Sequence, residues 1–576
     1  MLLATAISSF TPAVFGSALA AAASRQTSQW LYSDNQVPHP PSPEPISITS
    51  LSLPPVTHNT APGGCSGHIN PLETGCIAAS TGLQAGSFLP DGNHVLATVT
   101  FVGTRNDSES SKVYDGKQVI IVKADGEVFP SGDPWKCITS GAQDYSNSSI
   151  AKDYSYPQAF SDGRRVLAGA YVIVCDVDQL SIYPVRLEDK IDRSGPGAAL
   201  RELRLHPDQV HLGFNVFSFA GGRLGQHTFT ARLSFNQDPT TGQPLAPRYE
   251  LRNVNQLSNS NLPPAISVNG SELHVNQSAI TVGELRGFTG TGKEVTYVGD
   301  PIESCNIDVM AADLQTGQVR RLTNHPGYVD PVQFSPDDGS FVIMDTRGSD
   351  RTEFMAGMRG IPPIVDVVTT TVCASVRNNG PRRFFQPWLL DRYGDRGDYY
   401  GQEINNASHG TLGSGAFYDP NSNGMADPWF SPDGTKVVYW QAQTVSPACG
   451  GENTPPCFNS TEPGGVTERI MIAHLTSRKP LAPRQVDELP DAIPWATPYV
   501  PGKSTSITPV LPAGNYTLKG RYSGHADVQI ISSPNTSNAQ TVQTNFINFS
   551  DDGVYILRGT QDITQTVENL TINKLD

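Results

Sequence analysis

Carboxylates and arginines are concentrated in two stretches of this 576-residue sequence. The first stretch, residues 345–351, follows an apolar run and contains Asp345, Arg347, Asp350 and Arg351. Two carboxyl groups held close together can cleave a glycosidic bond, one as acid and the other as base or nucleophile. An arginine binds a carboxylate through two parallel hydrogen bonds. The stretch therefore combines groups for bond cleavage with groups that recognise an anionic ligand.

The second stretch, residues 382–403, repeats this composition and adds aromatic rings, which pack on sugar faces and on flat apolar groups. From the two stretches we predict a catalytic carboxyl pair of Asp350 and Asp391, with Asp345 and Glu403 as the next candidates. The residues that we expect to bind substrate are Arg347, Arg351, Arg392, Arg396, Trp388 and Tyr393. The alternative is that these charges form salt bridges that brace a large loop.

A third stretch, D-P-N-S-N-G-M-A-D, has the side chains of a cation-binding loop. Oxygen-bearing residues occupy its positions 1, 3, 5 and 9, with glycine at position 6; they are Asp419, Asn421, Asn423 and Asp427. This is most of an EF-hand calcium loop, although Phe430 stands where the bidentate glutamate would be. We predict a structural calcium ion here and no cofactor required for activity. The alternative is a loop of ordinary Asx turns.

A repeated turn phrase organises the rest of the chain. F-S-P-D-D-G at 334–339 recurs as F-S-P-D-G at 430–434, F-S-D-G at 160–163 and F-L-P-D-G at 88–92, each between apolar, alternating segments. Proline and glycine suit a tight reversal, and strands alternate with a period of two. Two turn-to-turn spacings of 46 residues match one four-stranded blade. We therefore predict an all-β fold, a six- or seven-bladed β-propeller with an N-terminal extended arm and a C-terminal β-rich module.

Composition changes along the chain suggest four segments. We assign 1–23 to a secretory signal peptide, 24–82 to a Pro- and Ser-rich arm and lead-in, 83–500 to the propeller and 501–576 to the C-terminal module. The module either stands alone or completes the propeller with a seventh blade. The formal charge of −15 disfavours nucleic acid and anionic membrane as partners. We expect a monomer that binds a small-molecule glycoside.

Cysteines and sequons favour an extracellular protein. Eight cysteines and ten Asn-x-Ser/Thr sequons are typical of a secreted, disulfide-bonded glycoprotein. Cys65–Cys76 and Cys449–Cys457 would close short loops. Cys137–Cys175 and Cys305–Cys373 would then remain, although sequence leaves this connectivity open.

Several longer runs resemble a known family, the fungal secreted saponin hydrolases with TolB-type propeller repeats. These runs lie at 153–163 (D-Y-S-Y-P-Q-A-F-S-D-G), 203–215, 344–351, 382–399 and 440–453. The resemblance implies a TolB-like propeller and an enzyme that removes a glucuronosyl-linked sugar chain from a triterpenoid saponin. The resemblance assigns no catalytic role to any residue of this sequence. The choice of a glucuronide over other uronides rests on the resemblance alone.

Three functions follow from these observations. The first is an extracellular glycoside hydrolase that cleaves a glucuronosyl linkage with paired carboxyl groups. The second is a metal-dependent uronide lyase, for which His206, His211, His325 and His409 are the candidate ligands. The third is a non-catalytic propeller that binds a glycan or a protein. No G-x-S-x-G nucleophile elbow is present in the sequence, which disfavours a propeller peptidase.

Overall fold

The computed structural model describes residues 37–575, with sixteen short internal ranges excepted. These ranges are 105–113, 147–151, 177–178, 221–222, 259–260, 300–301, 304–305, 349–359, 365–384, 407–414, 416–421, 445–448, 450–453, 504–510, 533–539 and 566–569. At 218–220, 223–225, 540, 565 and 570–575 the backbone alone is described.

Nearly all regular structure in the described ranges is β-strand. In chain order the first strands are β1 (Ile46–Leu51), β2 (Cys76–Ile77), β3 (Gln84–Phe88), β4 (His94–Val102), β5 (Gly116–Lys123), β6 (Trp135–Cys137), β7 (Gln143–Asp144), β8 (Gln158–Ala159), β9 (Arg165–Ala168), β10 (Tyr171–Cys175), β11 (Leu180–Arg186), β12 (Arg201–Leu205), β13 (His211–Ala220), β14 (Arg223–Asn236), β15 (Arg248–Gln256), β16 (Ile266–Asn269) and β17 (Glu272–Val275). They are followed by β18 (Val282–Phe288), β19 (Glu294–Gly299), β20 (Val309–Asp313), β21 (Val319–Arg321), β22 (Val329–Phe334), β23 (Ser340–Asp345), β24 (Gln386–Asp391), β25 (Gln402–Glu403), β26 (Ser422–Phe430), β27 (Lys436–Gln443), β28 (Glu468–Leu475), β29 (Thr497–Pro498), β30 (Gly514–Lys519), β31 (Ser523–Ser532), β32 (Gln540–Ser550), β33 (Leu557–Gln565) and β34 (Leu570–Leu575). One short 3-10 helix spans Pro463–Gly465.

The repeated turn phrase builds hairpins, as predicted. In the turn after β26, the Ser431 hydroxyl donates to Asp433 Oδ1 (2.6 Å) and Gly434 adopts a φ of 70°. In the turn after β22, the Ser335 hydroxyl donates to Asp337 in the same way (2.7 Å). These hydrogen bonds satisfy polar groups of the turn within the turn itself. Glycine adopts the left-handed backbone conformation, which is disfavoured for residues with a side chain.

Six four-stranded blades follow from the strand pairing. In order they comprise β3–β6, β8–β11, β12–β15, β18–β21, β22–β25 and, as the sixth, β26–β28 with β1 at its outer edge. The predicted all-β propeller is thus confirmed, with six blades in the described part of the chain. The outer strands of the second and third blades also join, because β11 pairs with β15 in parallel.

The ring is closed by contacts between innermost strands. β3 contacts β8, β12 contacts β18, β18 contacts β22, β22 contacts β26, and β26 returns to β3. The second and third blades are joined by Gln158, whose amide donates to Leu203 O and accepts from Leu205 N, both at 2.8 Å. The apolar clusters lie between neighbouring sheets, so each blade buries its faces against the next.

The chain ends differ from the predicted segments in two respects. Strand β1, within the predicted 24–82 lead-in, pairs with β28 over its whole length and completes the sixth blade. Of the two alternatives for 501–576, the structure has the separate module: β30–β34 form a sheet of their own, and β16–β17, from within the predicted propeller segment, adds two strands to it through β17 and β30. The C-terminal sheet is therefore built from two distant parts of the sequence.

Two of the expected disulfides are present, Cys65–Cys76 and Cys449–Cys457. The Cys137–Cys175 pairing is not formed: both thiols are free, and they line one cavity between the first two blades. Cys305 and Cys373 lie outside the described residues. Within the described ranges no helix has the length and apolarity needed to cross a bilayer.

Candidate functional site

The 345–351 loop contains a buried ion-pair network. Arg347 Nε lies 2.6 Å from Asp345 Oδ2, and its Nη1 lies 2.7 Å from Asp395 Oδ1 and 2.9 Å from Tyr400 O. Asp395 Oδ2 also accepts from the backbone N–H of Asn324 (2.8 Å). Arg347 is 1% exposed. Its guanidinium is already surrounded by protein acceptors, and these contacts are those of a structural brace.

The other predicted residues of the 382–403 stretch are also engaged in protein contacts. Arg396 makes two hydrogen bonds to the Asp391 carboxylate, at 2.7 and 2.5 Å, and its guanidinium lies 5.6 Å from the Tyr393 ring. Arg347 lies 5.9 Å from the half-buried Trp388 ring. The side chain of Arg392 is exposed.

Glu403 lies on β25, the outermost strand of the fifth blade, opposite Trp388. Burial raises the pKa of its carboxyl to about 7, although the Asn406 amide donates to its Oε2 (2.8 Å). This position is remote from the innermost strands. The catalytic and binding roles given to these residues stay predictions. Asp350 and Arg351 lie outside the described residues.

The predicted calcium loop is described only in part. Asp419 and Asn421 lie outside the described residues. Asn423 and Asp427 are both buried on β26, and the Asp427 carboxylate faces two guanidinium groups. The calcium site stays a prediction. Among the described side chains no group of three or more His, Cys, Asp and Glu is arranged to hold a metal ion.

Four innermost strands place charged side chains on the propeller axis. These residues, which we call the axial cluster, are Glu202 and Arg204 on β12, Glu284 and Arg286 on β18, Asp330 on β22 and Asp427 on β26. Arg204 Nη2 lies 2.7 Å from Asp427 Oδ2. The third and sixth blades stand on opposite sides of a six-bladed ring, so this ion pair crosses the central axis.

Arg286 is the hub of the axial cluster. Its Nη1 lies 3.0 Å from Glu284 Oε1 and 3.4 Å from Glu202 Oε2. Its Nη2 lies 3.1 Å from Asp330 and 3.8 Å from Asp427. The Nε atoms of Arg204 and Arg286 are buried and have no hydrogen-bond partner within the described residues. Both guanidinium groups are closed to solvent, and their Nη atoms contact carboxylates of the cluster.

Glu202 and Glu284, from adjacent blades, share a hydrogen bond, and their pKa values shift in opposite directions. Burial raises the pKa of Glu284, and the neighbouring carboxylates Glu202 and Asp330 raise it further. Burial acts in the same sense on Glu202, but the Arg286 charge and the hydrogen bond from Glu284 lower its pKa overall. A protonated Glu284 thus donates to an ionised Glu202, and pairs separated in this way divide acid and base roles.

Aromatic residues surround the cluster. The Arg204 guanidinium lies 4.2 Å from the Tyr156 ring centroid, and burial raises the pKa of this phenol to about 12. Arg201 forms an ion pair with Glu202 (3.1 Å) and covers the Phe217 ring at 4.1 Å. Phe217 is 51% exposed. An exposed ring beside the carboxyl pair is a platform on which a sugar or flat apolar group can pack.

The 345–351 loop supports the cluster from outside. The Tyr328 hydroxyl donates to Asp330 Oδ2 (3.2 Å), and the Thr346 hydroxyl accepts from Tyr328 N (2.8 Å). Asp345 is opposite Val329 in the β22–β23 ladder, so the loop lies at the same end of the blade as Asp330.

The sequence carries only a partial signal for the cluster. E-L-R occurs at 202–204 and 284–286 but also at 250–252, and D-P occurs at 330–331 and 427–428 but also at 133–134, 238–239, 300–301 and 419–420. The four copies in the cluster are distinguished by their place on the first strand of a blade. Because the first strand of every blade faces the axis, charges that recur there are expected to meet.

Comparison with known proteins gives no family for this chain. No family model and no curated protein matches this sequence. Among solved structures, a putative TolB from Agrobacterium tumefaciens is 14% identical and has a TM-score of 0.29 over 59% of this chain and 93% of its own. The β-propeller domain of the Trilobed protease from Pyrococcus furiosus is 8% identical, with a TM-score of 0.21 over 64% of this chain and 79% of its own.

An oligogalacturonate lyase from Vibrio parahaemolyticus is 9% identical, with a TM-score of 0.32 over 75% of this chain and 98% of its own. These likenesses bear on neither substrate nor mechanism for this chain. The resemblance to fungal saponin hydrolases stays a prediction.

Proposed function

We propose that this protein is a glycoside hydrolase that cleaves a glucuronosyl linkage at the axial cluster. The observation that carries the proposal is the approach of two carboxyl groups from adjacent blades to one atom on the axis of the ring: Arg286 Nη1 lies 3.0 Å from Glu284 and 3.4 Å from Glu202. One carboxyl is held protonated and the other ionised, which are the two states that glycosidic cleavage requires.

The chemistry divides between the two glutamates. Glu284 donates its proton to the glycosidic oxygen as the leaving group departs, and the Glu202 carboxylate attacks the anomeric carbon. Water then hydrolyses the glycosyl-enzyme ester, with Glu284 as base, which restores both groups. Carboxyl groups that share a hydrogen bond are closer than the separation of about 6.5–9.5 Å typical of inverting enzymes. We therefore expect retention of configuration.

The arginines account for a uronic acid as substrate. Arg201, Arg204 and Arg286 form ion pairs with Glu202, Asp427 and Asp330, so an incoming carboxylate meets a cluster that also contains cations. Arg201, whose side chain is 32% exposed beside Glu202, is placed to bind that carboxylate. Phe217 would contact the aglycone. A saponin aglycone rests on the sequence resemblance, and secretion is supported by the two disulfides.

The test is kinetic analysis of Glu284→Gln and Glu202→Gln on a glucuronosyl saponin and on p-nitrophenyl β-glucuronide. Loss of a general acid or nucleophile should lower kcat by about 10²–10⁴-fold. Glu294→Gln is the matched control, because Glu294 lies on the next strand of the same blade and pairs with Arg320. The control should keep its kcat.

Three results would contradict the proposal. Near-normal rates in both glutamine variants would exclude the axial pair from catalysis. A product with an unsaturated sugar that absorbs in the near ultraviolet would indicate the lyase instead. Loss of turnover in Asp391→Asn, with activity kept in Glu202→Gln and Glu284→Gln, would indicate that the carboxyl groups predicted from the sequence catalyse the reaction.

A further inference from the structure

Asparagine sequons are concentrated in the strands of the C-terminal sheet. Six of the ten Asn-x-Ser/Thr sequons fall within 266–276 or 514–575, the two segments of the chain that build this sheet. The first segment lies inside the predicted propeller region, so the concentration becomes apparent only when β17 is seen to pair with β30. Two of the six, Asn269 on β16 and Asn515 on β30, have side chains whose orientation follows from the strand register.

The Asn515 side chain points to the outer face of the sheet. Tyr516 and Leu518 of the same strand are buried in the core of this module, together with Val528 of the next strand. Successive side chains of a strand point to opposite faces, so Asn515 and Thr517 share the outer face. Asn515 is exposed, and Thr517 beside it completes the Asn-Tyr-Thr sequon.

The Asn269 side chain points to the same face, although Asn269 precedes Asn515 by more than 200 residues. Asn269 is paired with Glu272 in the β16–β17 hairpin, and Glu272 is paired with Thr517 in the β17–β30 ladder. Directly paired residues have side chains on one face, so Asn269, Glu272 and Thr517 form a row across three strands. The ion pair between Glu272 and Lys519 agrees with this orientation. Asn269 is also exposed.

Asn406 begins a sequon that is buried in the folded protein. Its side chain is 0% exposed, and its Nδ2 donates a hydrogen bond to Glu403 Oε2 (2.8 Å). A sugar on Nδ2 would replace a hydrogen of this atom and would need space that a close-packed interior does not have. The structure therefore distinguishes Asn406 from Asn269 and Asn515, although all three have the same sequence motif.

The modification transfers an oligosaccharide to the asparagine amide. Nδ2 forms a bond with the anomeric carbon of the first sugar while the bond from that carbon to a lipid pyrophosphate breaks. The amide loses one proton, and the lipid pyrophosphate is the leaving group. The eukaryotic secretory pathway supplies this donor, and the two disulfides favour passage of the protein through that pathway.

We propose that Asn269 and Asn515 both carry N-linked glycans, which cover the outer face of the C-terminal sheet. Asn515 is paired with Gln529, so Ile531, which is 44% exposed, lies diagonally next to Asn515 on this face. The first sugars of the Asn515 glycan would shield this isoleucine from solvent. The proposal is independent of the reaction proposed at the axial cluster.

The test is to locate the glycans on the full-length protein secreted from yeast. Digestion with peptide-N-glycosidase in heavy-oxygen water converts each glycan-bearing asparagine to a labelled aspartate, which peptide mass spectrometry identifies. A heterologous signal peptide replaces residues 1–23 if the predicted one does not direct secretion. We expect the label at Asn269 and Asn515 in most molecules and no label at Asn406.

Two pairs of variants test the sequons themselves. Ser271→Ala and Thr517→Ala remove the hydroxyl that the sequon requires but keep the asparagine, so each should lose one glycan in a gel-mobility assay. Ser271→Thr and Thr517→Ser keep the sequon and, as matched controls, should keep the glycan. An unmodified Asn269 or Asn515 in the secreted protein, or a modified Asn406, would overturn the proposal.

Discussion

The Nη2 atom of Arg286, on the innermost strand of the fourth blade, lies 3.1 Å from Oδ1 of Asp330 on the innermost strand of the fifth. The same guanidinium reaches Glu202 of the third blade and Asp427 of the sixth. One side chain therefore links four of the six blades at the axis. A cation so placed can hold in position the carboxyl groups that we propose for catalysis.

The first prediction concerns substrate charge. Arg201 is the partly exposed arginine beside Glu202, and Arg201→Lys keeps a positive charge but loses the planar guanidinium that binds a carboxylate through two hydrogen bonds. We expect kcat/KM for a β-glucuronide to fall by about tenfold or more relative to that for the matching β-glucoside. Initial rates on the paired substrates give this ratio. Equal losses on both substrates would mean that Arg201 only positions the carboxyl group of Glu202.

The second prediction concerns pH. The pKa of Glu284 is raised, so the acid form persists through neutral pH, and kcat/KM should fall only as pH rises through that raised value. The pKa of Glu202 is lowered, so activity should persist in moderately acidic solution and fall as pH drops through that lowered value. A pH–rate profile checks both limbs. In Glu284→Gln the alkaline limb should disappear from the residual activity, and its persistence would assign the acid to another group.

The third prediction concerns the buried brace. Arg347→Ala leaves the carboxylates of Asp345 and Asp395 buried without their cation. Removing one partner of such a network should lower the free energy of unfolding by about 3–5 kcal/mol, as measured by urea denaturation. The control is Arg392→Ala, an exposed arginine in the same segment, with an expected change within about 0.5 kcal/mol. A stable Arg347→Ala protein that has lost substrate affinity would instead support the role in substrate binding predicted from sequence.

The fourth prediction concerns residues 481–499, which we call the strap. This segment crosses from the sixth blade to the third and fourth blades. Asp491 in the strap accepts from His211 Nε2 (3.0 Å), Arg232 Nε (2.7 Å) and Asn253 Nδ2 (2.8 Å). Burial acts to lower the pKa of His211, but its hydrogen bonds to Asp208 and Asp491 raise it overall.

Because the folded-state pKa of His211 is above its unfolded value, its stabilisation is complete below about pH 6.5 and is lost as pH rises through the folded value. We therefore expect Tm to decline between about pH 6 and pH 9 in wild type, and the decline to be smaller in His211→Asn. The neighbouring charges of Asp208, Arg232 and Glu488 are unchanged in this variant. An identical decline in both proteins would exclude His211 as its cause.

The sequence by itself determined the hairpins, the two short-range disulfides and the all-β propeller. These features depend on neighbouring residues: the Ser431–Asp433 contact and Gly434 build a turn whatever surrounds it, and Cys65 and Cys76 are only 11 residues apart. The charged loop at 345–351 was visible for the same reason. The contact of Arg347 with Asp395, and that of Asp395 with the backbone of Asn324, could not be predicted from the sequence. A structural brace could therefore not be distinguished from a catalytic site.

Tertiary structure alone decided the blade count and the axial cluster. The sixth blade is completed by Ile46–Leu51, a strand more than 400 residues from its partner β28, and no local pattern specifies that pairing. Glu202 and Glu284 are more than 80 residues apart, and Arg204 and Asp427 more than 200. In the sequence, each of these four residues is an ordinary charged residue on a predicted short strand. They meet because closing the ring turns the first strand of every blade toward one axis, where burial and mutual approach separate their pKa values.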